Sequence, residues 1–180
     1  MIDTPLVREA HAIVSRALAQ PILAHSHRVL LLAQTYARAI ERDHDEEGLA
    51  LAALFHDVGL AHPEPGAPFQ VASSRALSAF LCARGVPRER ISPLVDAIDF
   101  HLSLLPRWSK GPEVGLLQVG AWMDVYGLRR GTIGRDAVAQ IEAEHPRTGF
   151  AGAFHRALLG SIVSPAACFG LLFPGPYRAA

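Results

Sequence analysis

The stretch AALFHDVGL, residues 52–60, decides how this chain is read. It starts like the buried end of a helix, and then His56 and Asp57 follow one another inside an otherwise apolar run. Burying an imidazole and a carboxylate is costly unless both are satisfied, so the placement calls for a partner elsewhere in the chain. Just upstream, Asp45, Glu46 and Glu47 put negative charge where a helix of about 46–57 would begin, which complements the helix dipole. Gly59 stands where that helix would end. Residues 61–70, AHPEPGAPFQ, hold three prolines and a glycine and read as a loop leaving directly from the His-Asp pair. Loops in such positions often shape pockets.

Outward from this stretch the pattern is helical nearly throughout. Thr4-Pro5 reads as an N-cap followed by proline at the first helical position, and Leu6, Ala10, Ile13, Val14 and Leu18 then recur at helical spacing until Pro21. A second helix over about 22–42 places Leu23, Val29, Leu30, Ala33 and Ala37 on one side. Further helices are expected over 71–85, 92–104, 113–129, 134–144 and 149–161, with Ser92-Pro93 as a second cap-plus-proline start. No segment shows sustained period-two alternation or an Asn-Gly hairpin signal, so the expectation is an all-α, single-domain helical bundle over 1–180. Its core would span about 22–161, with a C-terminal tail from about 162 that could pack on the domain or on a neighbour, leaving a homo-oligomer open.

Seventeen basic and seventeen acidic residues cancel, and Lys110 is the only lysine, a balance that invites neither nucleic acid nor an anionic membrane. The longest apolar runs, such as 49–55, fall far short of the roughly 20 residues needed to cross a bilayer. The N-terminal sequence MIDTPLVREAHAIV lacks the pattern of a secretory signal, and Cys82 and Cys168 form no CxxC, which suits buried thiols in a reducing cytoplasm.

Four places on different predicted helices carry chemistry amid apolar neighbours: His25 in LAHSHRVLL, the pair His56-Asp57, His101 in DAIDFHLS and Asp124 in GAWMDVYGL. A carboxylate between Trp122, Met123 and Val125 needs a cation or several donors, and a metal ion would satisfy all of these residues at once. Two imidazoles and two carboxylates form a ligand set for Zn²⁺, Fe²⁺, Mn²⁺ or related ions such as Ni²⁺ and Co²⁺. His27, two residues from His25, points about 200° away on the helix and reads as a surface residue. Asp96 and Asp99 could buttress ligands but read rather as a capping charge and an exposed face, and His11, His44, His145 and His155 have no patterned partner.

HSHRVLLLA, followed 31 residues after its first His by HDVG and much later by a lone Asp in a helix, resembles the HD-domain superfamily of metal-dependent hydrolases. The resemblance implies a helical bundle in which His25, His56, Asp57 and Asp124 are the metal ligands. The segment from FQVASS to FHLS, with Ala97-Ile98-Asp99-Phe100-His101, and the later HPRTGF at 145–150 are also similar to HD proteins of the cyanamide hydratase kind. That likeness implies that His101 faces the pocket as a general acid or base beside Asp57. Arg28, one turn after His25, could orient a ligating carboxylate, and His62, Phe69 and Trp122 are candidates for the surroundings of the substrate.

Two departures narrow the expected function. Many HD phosphohydrolases carry Lys just after the HD-x-G turn, where this chain has Leu60, and dinuclear HD oxygenases place two further His before the last Asp, where this chain offers only His62 and His101. The expectation is therefore a mononuclear hydrolase or hydratase, zinc being the first choice of metal, acting on a small, fairly neutral substrate with a nitrile-like or cyanamide-like carbon. Phosphomonoester or nucleotide hydrolysis is the alternative; a non-catalytic metal-stabilised module and a dinuclear iron oxygenase are weaker ones.

Overall fold

Every residue from Gly48 to Phe55 is buried, so the helix that leads to the His-Asp pair runs through the middle of the molecule with no solvent face. The computed structural model describes residues 2–64 and 67–161, and among these the chain is all-α, with nine helices and no strand. They are α1 (Pro5–Ala17), α2 (Gln20–Ala39), α3 (Glu46–Phe55), α4 (Phe69–Cys82), α5 (Arg88–Phe100), α6 (Pro112–Tyr126), α7 (Arg130–Ile133), α8 (Arg135–Glu144) and α9 (Phe150–Ser161). The central α3 is surrounded by α1, α2, α4, α5 and α6, while α2 lies along α6 in the most extensive helix pairing. No helix among the described residues is long and apolar enough to cross a membrane. The expected tail from about 162 lies outside the described residues, as does Cys168.

Local chemistry explains where the helices start and stop. Thr4 accepts a hydrogen bond from the Val7 amide at the start of α1, and Asp45 does the same for Gly48 at the start of α3. Pro21, expected to end the first helix, instead occupies the first turn of α2, where a missing amide hydrogen costs nothing. Ser92-Pro93 does not start a helix either. α5 begins four residues before Ser92, at Arg88, and accommodates Pro93 internally. Cys82, expected to be buried, is exposed at the end of α4.

Two close approaches position the functional side chains. A Cβ on Gly120 of α6 would lie 2.4 Å from the Val29 carbonyl oxygen of α2, so only glycine lets these two backbones meet. A Cβ on Gly59 would lie 2.0 Å from the Phe69 carbonyl oxygen, and the Gly59 amide donates to the Ser73 hydroxyl at 2.8 Å. The second contact ties the short 3-10 turn Val58–Leu60, immediately after Asp57, to the start of α4.

Gly120→Ala should push α6 off α2 and cost about 1–3 kcal/mol, the usual range for overpacking. Urea denaturation would show this as a lower midpoint with an unchanged slope; an unchanged midpoint would mean that the helices separate freely.

Candidate metal centre

His56 is the C-cap of α3, and the chain leaves helical geometry at Asp57 (φ −110°, ψ 6°), so the two side chains project from the end of the central helix rather than from its side. His25 comes from the first turns of α2, and all three are at most 2 % exposed. His25 Nε2 and His56 Nε2 are 3.3 Å apart, and they lie 3.6 and 3.4 Å from Asp57 Oδ2. These are the ligand atoms of a compact His-His-Asp group able to hold one ion.

The protons on these rings follow from their partners. His56 Nδ1 is 2.8 Å from the Ala53 carbonyl and His101 Nδ1 is 2.5 Å from the Ile98 carbonyl. A carbonyl only accepts, so each ring carries its hydrogen on Nδ1 and presents an Nε2 lone pair. His25 Nδ1 faces Asp124 Oδ2 at 2.6 Å, an acceptor as well, and its Nε2 is likewise left as a lone pair. The lone pairs of His25 and His56 therefore meet at 3.3 Å beside the Asp57 Oδ2 oxygen, which has no hydrogen-bond partner. A shared proton or a metal ion makes that arrangement favourable, and the geometry suits the ion. Two nitrogens bound tetrahedrally at the usual zinc distance stand about 3.3 Å apart, so the donor set fits a divalent ion.

The fourth expected ligand, Asp124, does not join this group. Its Oδ1 accepts from Arg28 Nε at 2.9 Å and from Arg147 Nη1 at 2.5 Å, and its Oδ2 accepts from Arg28 Nη2 at 2.9 Å and from His25 Nδ1. Burial pushes the Asp124 pKa up, but the bonds from His25 and Arg28 outweigh burial and hold it far below the usual carboxylate range. Arg28, wholly buried, spends its remaining donor on the His145 and Pro146 carbonyls, both at 3.1 Å. Arg28 is therefore no helix-surface charge, and its pairing is with Asp124. Phe150 closes the assembly, its ring stacked 4.6 Å from that of His25. Neither Arg147 nor Phe150 was given a role on the sequence; both lie in the HPRTGF segment, whose pattern was the signal available.

His101 is buried at the end of α5, its Nε2 3.9 Å from Asp57 Oδ1 and its ring 5.0 Å from that of His56. Burial, reinforced by His56, pushes its pKa down to about 4, so the ring is neutral near neutrality. Phe69 lies against the His101 ring at 5.9 Å and supports it without reaching the cavity. His62 is exposed on the loop after the 3-10 turn and is not among the residues that line the cavity beside His25, Asp57 and His101. His27 is only half-exposed, stacked on His11 at 5.1 Å and against His145 at 4.7 Å, so His11 and His145 have a partner after all.

A cavity opens on His25, Asp57 and His101, with Leu102, Ala121, Trp122, Val125, Tyr126 and Phe154 as its other walls. It leaves about 40 Å³ for the centres of water-sized molecules. Trp122, expected near the substrate, lines it, and its buried Nε1 has no hydrogen-bond partner.

Residues 22–106 match the HD domain family model. The match supports the HD-domain superfamily, whose members are usually metal-dependent hydrolases, and it takes in His25, His56, Asp57 and His101 but ends before Asp124. Among curated proteins none matches the chain. The all-α fold and the buried His-His-Asp group agree with an HD domain that binds a divalent metal.

Two measurements test the electrostatics around this site. Arg28→Ala should cost about 3–5 kcal/mol because it strands a buried carboxylate, whereas Arg28→Met combined with Asp124→Leu should recover much of that loss. Equal destabilisation of the two variants in urea would contradict the clamp. Asp99, expected on an exposed face, is instead buried on α5. Burial raises its pKa to about 6, with Asp96 adding to the rise and Ser74 and Lys110 opposing it. A raised folded-state pKa contributes stability below the ordinary carboxylate range that is lost as pH climbs through about 6. Asp99→Asn should therefore match its parent near pH 4 and exceed it by roughly 2–3 kcal/mol at pH 8; a gap that is constant with pH would refute this.

Proposed function

We propose that the protein is a hydrolase or hydratase that uses one divalent ion, zinc before iron, manganese, nickel or cobalt, to add water to a small, nearly neutral electrophile. The observation carrying this reading is the cavity wall. Beside the three ionisable groups of the centre it is apolar, and no Lys or Arg among the described residues lines it. The guanidinium groups of Arg28 and Arg147, behind His25, are occupied by Asp124. A phosphate ester would find no basic side chain beside the ion, and Leu60, buried where many phosphate-handling relatives have lysine, supplies none. The cavity's size suits a few heavy atoms better than a nucleotide.

The ion, when bound, supplies a Lewis acid and makes water a nucleophile near neutrality. His25, His56 and Asp57 would hold it, each imidazole fixed in the required tautomer by its Nδ1 partner. His101, neutral and with its Nε2 lone pair free, takes a proton from the attacking water and returns it to the product. The apolar walls exclude competing water and strengthen the charges inside. With a nitrile-like or cyanamide-like carbon, the water oxygen bonds to carbon and both hydrogens end on the product, which is an amide or, from cyanamide, urea.

Zinc-loaded protein offered cyanamide, simple nitriles, a nucleotide panel and a generic phosphatase substrate should form urea or amide and release no phosphate. Asp57→Ala should lower that rate at least a hundredfold. Phosphate release, or an Asp57→Ala variant as active as its parent, would overturn the reading.

A further inference from the structure

Asp124 raises a question that the ligand geometry does not absorb. It is a fully buried carboxylate on α6 at a position where the resemblance to HD proteins expects a metal ligand, yet four donors already surround it. Arg28 binds it through two parallel hydrogen bonds, the geometry that fixes a carboxylate most firmly. Arg147 adds one from the side, and also donates to the Asp124 main-chain carbonyl at 2.8 Å, so the carboxylate and the backbone that carries it are held together. The fourth donor, His25 Nδ1, lies on the edge of the ring opposite the Nε2 that faces Asp57. Reaching the ion would require Asp124 to break the Arg28 pair and abandon the His25 proton.

We propose that Asp124 is a positioning residue and not a metal ligand. It holds His25 in the Nδ1–H tautomer with Nε2 aimed at the ion, and the protein contributes three ligands, His25, His56 and Asp57. The inference rests on the reading of this site as a metal centre. Its consequence is an additional coordination position open to water and substrate on the cavity side, where His101 and Trp122 stand. Carboxylate-histidine-metal arrangements of this type fix ring orientation and raise the basicity of the ligating nitrogen, and losing the outer carboxylate usually costs 10–100-fold in metal affinity.

The test uses the full chain loaded with Co²⁺ or Zn²⁺. Asp124→Asn should bind the ion about 10–100-fold more weakly in chelator competition, while its visible Co²⁺ spectrum and the ligand number from X-ray absorption match the parent's. Asp57→Asn, a change to a ligand, should alter both. Loss of one light-atom ligand in Asp124→Asn would make Asp124 a ligand and overturn the proposal, and so would unchanged affinity. Should Asp124→Asn fail to fold, ¹⁵N shifts of His25 in the parent decide the matter. A protonated Nδ1, before and after zinc is added, supports the proposal; a deprotonated Nδ1 refutes it. Failure of the parent to bind either ion would be a different result, removing the metal centre itself.

Discussion

A carboxylate with almost no solvent contact, held by Arg28, Arg147 and the His25 ring, is the interaction on which the site's geometry depends. Asp124 sits on α6, Arg28 and His25 on α2, and Arg147 just before α9, so a single buried charge ties three segments that are far apart in sequence. Burying a charge is costly enough that these donors cannot be lost singly without consequence. The same bonds that satisfy Asp124 fix the tilt and tautomer of His25. Fold stability and ligand orientation are therefore not separable here, and the glycine that lets α2 and α6 touch serves both.

The other half of the site is organised from the central helix. α3 has no exposed face, so its end is fixed from all sides, and the chain turns sharply at Asp57 under the constraint of Gly59 against Phe69. This holds an imidazole and a carboxylate in successive positions at one point. The apolar run that made the pair look misplaced in the sequence is its rigid support.

Much of this was legible in the residues, for identifiable reasons. Helical periodicity and the Thr4-Pro5 start gave the all-α class, and the spacing of His25, His56 and Asp57 anticipated a group that the fold does assemble. The failures have physical causes. Ser92-Pro93 resembled a helix start because proline is favoured there, but α5 had already begun and tolerates the missing amide. Asp99 looked exposed because a lone carboxylate on a helix usually is, and nothing local announced its burial. Arg147 and Phe150 reach His25 and Asp124 only through the return of the chain after α8, a long-range contact with no periodic signature. Asp124 stood out as a carboxylate needing a cation or several donors, and the donors around it, Arg28, Arg147 and His25, come from contacts that no local pattern announces.

His56 and His101 are both C-cap residues, each bonded through Nδ1 to a carbonyl in the last turn of its own helix. Two helices thus end on the cavity with the same polarity. A helix C-terminus carries roughly half a negative elementary charge, and here two of them end beside the Asp57 carboxyl group. The resulting field favours a cation at the point where His25, His56 and Asp57 converge. Part of the attraction for a cation is in this sense set by the direction in which α3 and α5 run, which no side-chain change alters.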